Sequence, residues 1–161
     1  MNDKLDSADL RILKNLQENA KTTNQDLAER VALSPSSCLQ RVRRLESSGV
    51  INRYLAIVDK SKICRSISCI ATVTMKHHAQ KDFDKFESVV RDMPEVIECS
   101  TVSGGFDFIL KVVCADMEQY LKFNNELLNQ ASNIDQISTH VIMNENKPFT
   151  GLPLDMLVEK R

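Results

Sequence analysis

The sequence predicts an α+β protein of two domains, a helical domain over residues 1–60 and a β-rich domain over residues 67–161, joined by a connector at 61–66. The first domain is predicted from three short segments with helical spacing of apolar residues, each preceded by a capping residue. The second is predicted from four segments of strand character separated by two helical ones. A chain of 161 residues is long enough for two small hydrophobic cores.

The first two helices are marked by caps. Asp6 followed by Asp9 has the spacing of a capping box, for a helix that runs to about Asn19. Thr23 followed by Asp26 repeats this spacing at the start of a second helix. The first helix is expected to bury the apolar residues Leu10, Leu13 and Leu16.

The third helix is predicted to begin at the N-cap Ser34, with Pro35 at its first position and Gly49 at its end. Its apolar stripe comprises Cys38, Val42 and Leu45. A turn of about three residues separates it from the second helix, which is typical of a helix-turn-helix. Residues 50–58 have strand propensity, so we expect a two-stranded wing behind it and hence a winged helix-turn-helix domain.

Positive charge is concentrated around this third helix. The whole chain carries a formal net charge of −1, but residues 36–53 contain four arginines and a single glutamate. A short capped helix with small polar residues at its N-terminal end and arginines beyond suits a DNA major groove. Ser36, Ser37 and Gln40 are expected to reach base edges, Arg43 and Arg44 to contact bases or backbone, and Arg53 of the wing to contact phosphate. Arg41 lies on the flank and completes the predicted DNA-binding set.

The second domain has the order β-α-β-β-α-β, which predicts a ferredoxin-like sheet of four antiparallel strands with two helices on one face. The other face is expected to be apolar and to be covered by dimerisation. The second helix should bury Met117, Tyr120, Leu121, Leu127 and Leu128. The predicted strands and helices are 66–75, 81–93, 96–102, 108–114, 116–130 and 134–143.

Two motifs in this order resemble the Lrp/AsnC (leucine-responsive, feast/famine) family of transcription regulators. One is the helix-turn-helix run from Leu33-Ser-Pro-Ser-Ser-Cys-Leu-Gln-Arg to Gly49-Val-Ile, and the other is Val102-Ser-Gly-Gly-Phe-Asp-Phe108. The resemblance covers nearly the whole chain. It implies a C-terminal domain of the RAM/ACT-like type, homodimers held through the C-terminal sheets and often assembled into octamers, and an amino acid or similar metabolite bound between C-terminal domains.

The resemblance also implies an effector loop at residues 103–107. Two glycines, Gly104 and Gly105, let backbone N–H groups approach a ligand carboxylate, and Asp107 could hold its α-amino group. The alternative is that the glycines form a hairpin turn and that Asp107 stabilises it. The remaining family positions that line or tune the pocket correspond to Thr101, Ser103, Met117, His140 and Val141.

Other functions have less support in the sequence. Possible metal ligands are Cys64, Cys69, Cys99, Cys114 and the pair His77-His78. No Cys-x-x-Cys or His-x-x-x-His spacing occurs, so we expect no metal. We also expect no enzymatic activity and no cofactor, because no nucleophile–base pair or phosphate loop accompanies the candidate pocket. The five cysteines are expected to be reduced, in a cytoplasmic protein associated with the nucleoid and not with a membrane. An effector-independent DNA-compacting protein and a regulatory domain of a metabolic enzyme remain the alternatives.

Overall fold

The computed structural model describes residues 5–158 and divides into two compact units. The first unit contains residues 5–57 together with 147–158, and we call it the head. The second unit contains residues 58–146. The sequence predicted a boundary near residue 60 and placed everything after residue 67 in the second domain, whereas the structure groups the C-terminal segment with the head.

The N-terminal part of the head contains three helices, α1 (Ser7–Glu18), α2 (Asn24–Arg30) and α3 (Pro35–Ser47). All three predicted caps are present: the side chains of Asp6, Thr23 and Ser34 each accept a hydrogen bond from the backbone N–H three residues later. The turn between α2 and α3 includes Ala32 at φ 55°, which reverses the chain within four residues. The predicted helix-turn-helix is therefore confirmed.

The buried face of α1 differs in part from the prediction. Leu13 is buried as expected, but Leu10 and Leu16 are half-buried, and Ile12 is fully buried. The difference arises because the centre of the buried face is occupied by the carboxylate of Asp9, which a search for apolar periodicity does not count. The buried core of the head consists of Ala8, Ile12, Leu13, Leu27, Ala28, Val31, Cys38 and Leu45.

Residues 50–58 contain no β-strand, so the two strands that the sequence predicted for a wing do not form there. Gly49 adopts a left-handed conformation at φ 76° and ends α3 as predicted, and the N–H of Ile51 then donates to the carbonyl of Leu45 at 3.0 Å. Strand propensity reflects side-chain packing on a paired sheet, and no second strand lies beside this segment within the described residues. Its apolar side chains Leu55, Ile57 and Val58 are exposed.

The C-terminal segment, residues 147–158, packs against α1. The Lys14 ammonium lies 2.5 Å from the Asp155 carboxylate, and the side-chain amide of Gln17 bonds to both the N–H and the carbonyl of Leu152. Leu154, which begins the short helix α6 (Leu154–Leu157), packs against the head core. These contacts attach the C-terminal segment to the head. They join residues far apart in the sequence, so local sequence patterns do not predict them.

The elements of the second unit are β1 (Ile67–Met75), α4 (Gln80–Arg91), β2 (Val96–Thr101), β3 (Phe108–Cys114), α5 (Met117–Gln130) and β4 (Ile134–Val141). The four strands form one antiparallel sheet with the order β2-β3-β1-β4, which together with the two helices confirms the ferredoxin-like prediction. Alternate residues of β1 and β3 are buried. The core between sheet and helices includes Phe86 of α4 and Phe108 of β3, with ring centroids 4.3 Å apart.

The prediction for the buried face of α5 is partly wrong. Tyr120 and Leu127 are buried as expected, and Phe123 takes the third central position. Because 120, 123 and 127 follow helical spacing, the next residues along, Leu121 and Leu128, lie toward the outer face and are 56% and 41% exposed. Met117, the first residue of α5, is 45% exposed.

All five cysteines are free thiols, as the sequence predicts for a reduced protein. Cys38, Cys69 and Cys114 are buried, and burial raises the pKa of each of these thiols. No helix within residues 5–158 combines the length and apolar character that crossing a lipid bilayer requires.

Gly151 provides a test of the contact between the C-terminal segment and α1. It adopts φ 118°, and a Cβ there would lie 2.9 Å from Oε1 of Gln17. We expect Gly151→Ala to lower the free energy of unfolding by about 1–3 kcal/mol, because the backbone region favours glycine and the contact has no spare space. Urea denaturation measures the change. Gly105→Ala is the control, since a Cβ at Gly105 meets no atom within 4 Å, and an equal loss in both variants would contradict the argument.

Candidate nucleic-acid interface and ligand site

A fully buried carboxylate connects α1 to α3. Asp9 has no exposed surface, and its Oδ1 accepts a hydrogen bond from Arg41 at 2.8 Å while its Oδ2 accepts one from Arg44 at 2.5 Å. Oδ2 also accepts the backbone N–H of Asp6, which completes the capping box. A buried charge is tolerated only when it is paired and hydrogen-bonded, and Asp9 meets both conditions.

Asp6 adds a second carboxylate to the same cluster. Its side chain accepts the backbone N–H of Asp9 at 2.9 Å and a hydrogen bond from Arg41 at 2.7 Å. These bonds, the backbone one first, lower the pKa of Asp6 to about 2. The same two carboxylates raise the pKa of the Arg41 guanidinium. The N-terminus of α1 therefore holds α3 through charge-assisted hydrogen bonds as well as through apolar packing.

This cluster divides the predicted DNA-binding arginines into two groups. The guanidinium groups of Arg41 and Arg44 are engaged within the head, so their hydrogen-bonding capacity is partly used. Arg43 makes no ion pair in the described part of the chain and is exposed, as are Ser36 and Gln40. The outward face of α3 thus presents the unpaired guanidinium of Arg43, the amide of Gln40 and the hydroxyl of Ser36, with Leu39 at its edge and 39% exposed.

The start of α3 is fixed by short-range contacts. The Oγ of Ser34 accepts the N–H of Ser37 at 3.2 Å and lies 3.2 Å from the Oγ of Ser36. The side chain of Asn24, at the start of α2, donates to the carbonyl of Pro35 at 2.9 Å. Ser37 is therefore half-buried and bonded through its backbone, while the hydroxyl of Ser36 lies at the exposed end of the helix.

Arg53 lies in the extended segment that follows α3, and its side chain is exposed. The neighbouring Tyr54 hydroxyl donates to the carboxylate of Glu46 on α3 at 2.8 Å. Burial, followed by this carboxylate, raises the pKa of Tyr54 to about 12. The tyrosine therefore keeps its proton and ties the segment that carries Arg53 to the end of α3.

The predicted effector loop connects β2 to β3 in the second unit. Thr101 lies opposite Phe108 in the sheet, and the N–H of Val102 donates to the carbonyl of Asp107 at 2.9 Å. Gly104, with φ 133°, adopts a backbone conformation that other residues rarely reach. The predicted loop residues Ser103, Gly104 and Gly105 are exposed.

Asp107 is bonded to the end of β1. Its N–H donates to the carbonyl of Val73 at 2.8 Å, and its carboxylate Oδ2 accepts the N–H of Met75 at 2.7 Å. Its other oxygen, Oδ1, lies 3.1 Å from Nε2 of His78, and its side chain is 15% exposed. Asp107 thus extends the β3–β1 pairing beyond the last ladder residues. The sequence left open a structural role for Asp107 in the turn, but it did not indicate these bonds to β1.

The eight predicted effector residues do not meet within one chain. Asp107 is bonded at Val73 and Met75, whereas His140 lies opposite Ile70. Three residues of strand separate these positions, a distance of about 10 Å. Met117 and Val141 lie still further toward the start of β1, since Val141 pairs with Cys69, and both residues are exposed. The set therefore forms two groups, one near each end of β1.

A groove of about 410 Å³ lies along β2 and α4. Of the predicted effector residues, Thr101 alone lines it, and its hydroxyl lies 3.5 Å from the carboxylate of Glu87. Burial, with Glu87 as the second cause, raises the pKa of the Cys99 thiol in the same groove. Among residues 5–158, no three His, Cys, Asp or Glu side chains are grouped so that they could hold a metal ion.

Two features escaped the sequence-based assignment. Asp6 and Asp9 were recognised as caps but not as partners of arginines more than thirty positions away. His78, considered from the sequence as a possible metal ligand, pairs with Asp107. The available signal for this pair was a histidine just after the end of β1 with a carboxylate just before β3, the strand that pairs with β1.

Asp9→Asn tests the buried cluster. The amide keeps the shape of the side chain but loses the charge that pairs with Arg41 and Arg44, so we expect the free energy of unfolding to fall by about 1–3 kcal/mol. Both arginines are partly exposed and can turn to water, which limits the loss. Urea denaturation provides the measurement. Glu29→Gln removes an exposed charge of the same head and should leave stability within about 0.5 kcal/mol; the prediction fails if the two variants lose equally.

Asp6 predicts a pH dependence. A carboxyl group whose pKa is lower in the folded than in the unfolded state adds stability above its unfolded value near 3.8, and this stability disappears as the pH falls toward 2. Since its side chain is 51% exposed, the contribution is below about 1 kcal/mol. Denaturation midpoints measured from pH 5 to pH 2 should fall less steeply in Asp6→Asn than in the wild type. Parallel pH profiles would show that Asp6 does not contribute.

Comparison with known families matches both units. The sequence model of the family described as winged helix-turn-helix DNA-binding matches residues 5–52. The sequence model of the family described as Lrp/AsnC ligand binding domain matches residues 68–152. The family description of the head stands although the strands of the wing are absent from residues 50–58.

Individual proteins are similar over almost the whole chain. The leucine-responsive regulatory protein of Haemophilus influenzae is 37% identical over 153 residues, which cover 95% of this chain and 92% of that protein. A crystal structure of a transcriptional regulator from Neisseria meningitidis in complex with L-methionine is 33% identical, with a TM-score of 0.87 over 95% of this chain and 99% of that one. An AsnC family transcriptional regulator from Agrobacterium tumefaciens, 32% identical with equal coverage, has a TM-score of 0.89. The chain belongs to the Lrp/AsnC family of DNA-binding transcription regulators.

Proposed function

We propose that this protein binds specific DNA sites through the outward face of α3 and that an amino acid bound by the second unit modulates this binding. The observation that carries the proposal is the arrangement of α3, whose exposed face bears Ser36, Gln40 and Arg43 while its flank is bonded to α1. A rigidly held helix with a short polar face suits recognition of base edges in the major groove.

The residues of this face would have different roles. Gln40 carries an amide that can bond in a bidentate manner to adenine, and Arg43 carries a guanidinium that can do the same to guanine. Ser36 and Ser37, at the N-terminal end of α3, are placed for base edges or phosphate. Arg53 in the exposed segment after α3 is placed for phosphate.

Arg41 and Arg44 would contribute to DNA binding mainly by holding α3 in its orientation. Their bonds to Asp9 fix the angle of α3, and the free N–H groups that remain can still contact phosphate. The acidic partners reduce the local positive charge, so we expect moderate electrostatic affinity for random DNA and a larger share of affinity from base contacts.

An amino acid effector is supported by the family of the second unit and by the L-methionine complex of the Neisseria protein. Asp107 would bind the α-ammonium, and the exposed backbone at Gly104 and Gly105 would bind the carboxylate. Because His140, Val141 and Met117 lie about 10 Å or more from Asp107, a second copy of the chain would have to complete the pocket. Homodimers, and octamers built from them, would supply that copy.

The first test is whether binding is specific. Sites selected from random DNA should bind at least ~10³ times more tightly than unselected DNA at physiological salt. Addition of L-methionine or another of the common amino acids should change that affinity. Equal affinity for all sequences would instead identify a DNA-compacting protein.

Gln40→Ala locates the recognition surface. If Gln40 bonds to a base, the variant should lose about 1–3 kcal/mol of binding free energy on the selected site and lose discrimination at one base pair. Electrophoretic mobility shifts on single-base variants of the site measure both effects. Gln80→Ala, an exposed glutamine of α4 outside the head, is the control and should bind as the wild type does. A uniform loss on every sequence would show that Gln40 contacts the backbone.

A further inference from the structure

The carboxylate of Asp107 already has two partners. Its Oδ2 accepts the N–H of Met75 at 2.7 Å, and its Oδ1 lies 3.1 Å from Nε2 of His78. The first bond joins backbone at the end of β1 and belongs to the fold of the sheet. The second joins a side chain that is 63% exposed. Of the two oxygens, only Oδ1 can therefore be released without disturbing the sheet.

His78 is held in place by the loop that carries it. This loop, residues 76–79, connects β1 to α4. The N–H of Lys76 donates to the carbonyl of Asn133 at 2.9 Å, and the side chain of Asn133 donates to the carbonyl of His77 at 3.1 Å. The backbone that leads into His78 is thereby bonded to Asn133, the residue that precedes β4, while the imidazole itself is largely exposed.

The groups that contact the imidazole or the backbone next to it come from three elements. Asp107, from the loop before β3, is the one charged group paired with this ring among the described residues. From α4 the ring of Phe83 approaches it, with centroids 6.1 Å apart. Asn133 presents an uncharged amide to the neighbouring backbone. The charge state of His78 therefore acts mainly through Asp107.

We infer that His78 is a displaceable competitor for the effector, because its imidazole occupies the carboxylate oxygen that an α-ammonium group would take. This inference rests on the proposed amino acid site at Asp107. An ammonium and a protonated imidazole both donate to a carboxylate, so the two cannot share the single oxygen that remains available without weakening each other. Binding of the amino acid then requires the imidazole of His78 to turn away from Asp107 toward solvent. This movement is open to it because its side chain is already largely exposed.

The competition makes effector affinity depend on pH. A protonated imidazole forms an ion pair with a carboxylate, whereas a neutral one donates only an uncharged hydrogen bond. An imidazole ordinarily changes charge between roughly pH 5 and pH 8, a range in which the α-ammonium of a free amino acid stays charged. Effector affinity should therefore rise as the pH increases through this range, and the increase should depend on His78.

The experiment uses the full-length protein and L-methionine as the probe, with isothermal titration calorimetry at about pH 5.5 and pH 8. His78→Ala should bind L-methionine about two- to fivefold more tightly than the wild type at pH 5.5, the effect expected for an exposed ion pair. At pH 8 the two proteins should differ less. Asp107→Ala should lose binding at both pH values.

His77→Ala is the matched control, since it removes the adjacent exposed imidazole and should keep the pH profile of the wild type. Equal affinities and equal pH profiles in the wild type and His78→Ala would overturn the inference while leaving the proposed regulator intact. Full binding by Asp107→Ala would overturn it as well. If neither the wild type nor His78→Ala binds L-methionine, the inference fails. If, in addition, DNA binding responds to no amino acid, the effector part of the proposed function fails as well.

Discussion

The head of this protein depends on one buried charge. Asp9 lies at the centre of the face that α1 presents to α3, where an apolar residue would ordinarily be expected. Its carboxylate is stable there because a backbone N–H and two guanidinium groups satisfy it. Apolar packing alone permits small rotations of one helix against another, whereas these directed bonds fix one orientation. The angle of the recognition helix is therefore set from α1.

This arrangement changes the electrostatics of the surface proposed to contact DNA. Four arginines in residues 36–53 suggested a strongly positive patch. Asp6 and Asp9, which are distant in sequence, neutralise much of the charge of Arg41 and Arg44. What remains exposed on α3 is a short polar face with one unpaired arginine in the described structure. A surface of this kind favours discrimination among sites over general affinity for DNA.

In the second unit the sheet itself limits where an effector can bind. Asp107 and His140 are fixed by the register of β3, β1 and β4, so side-chain movement cannot bring them together. A pocket that used both groups would need residues from another copy, and effector binding would then depend on assembly. In the proposed site, the imidazole of His78 would compete with a ligand, since it lies against one carboxylate oxygen of Asp107.

Local sequence patterns were sufficient for the helices, their caps and the order of the strands, because these features depend on residues a few positions apart. Three features could not be predicted in this way, because each depends on residues far apart in the sequence. They are the pairing of Asp9 with Arg41 and Arg44, the packing of residues 147–158 on α1, and the distance between Asp107 and His140. The two strands predicted at residues 50–58 do not form for the same reason: strand propensity is local, but a strand forms only where tertiary structure supplies a partner. Family and general function could thus be predicted from the order of motifs, while the availability of each site residue depends on contacts that only the folded chain creates.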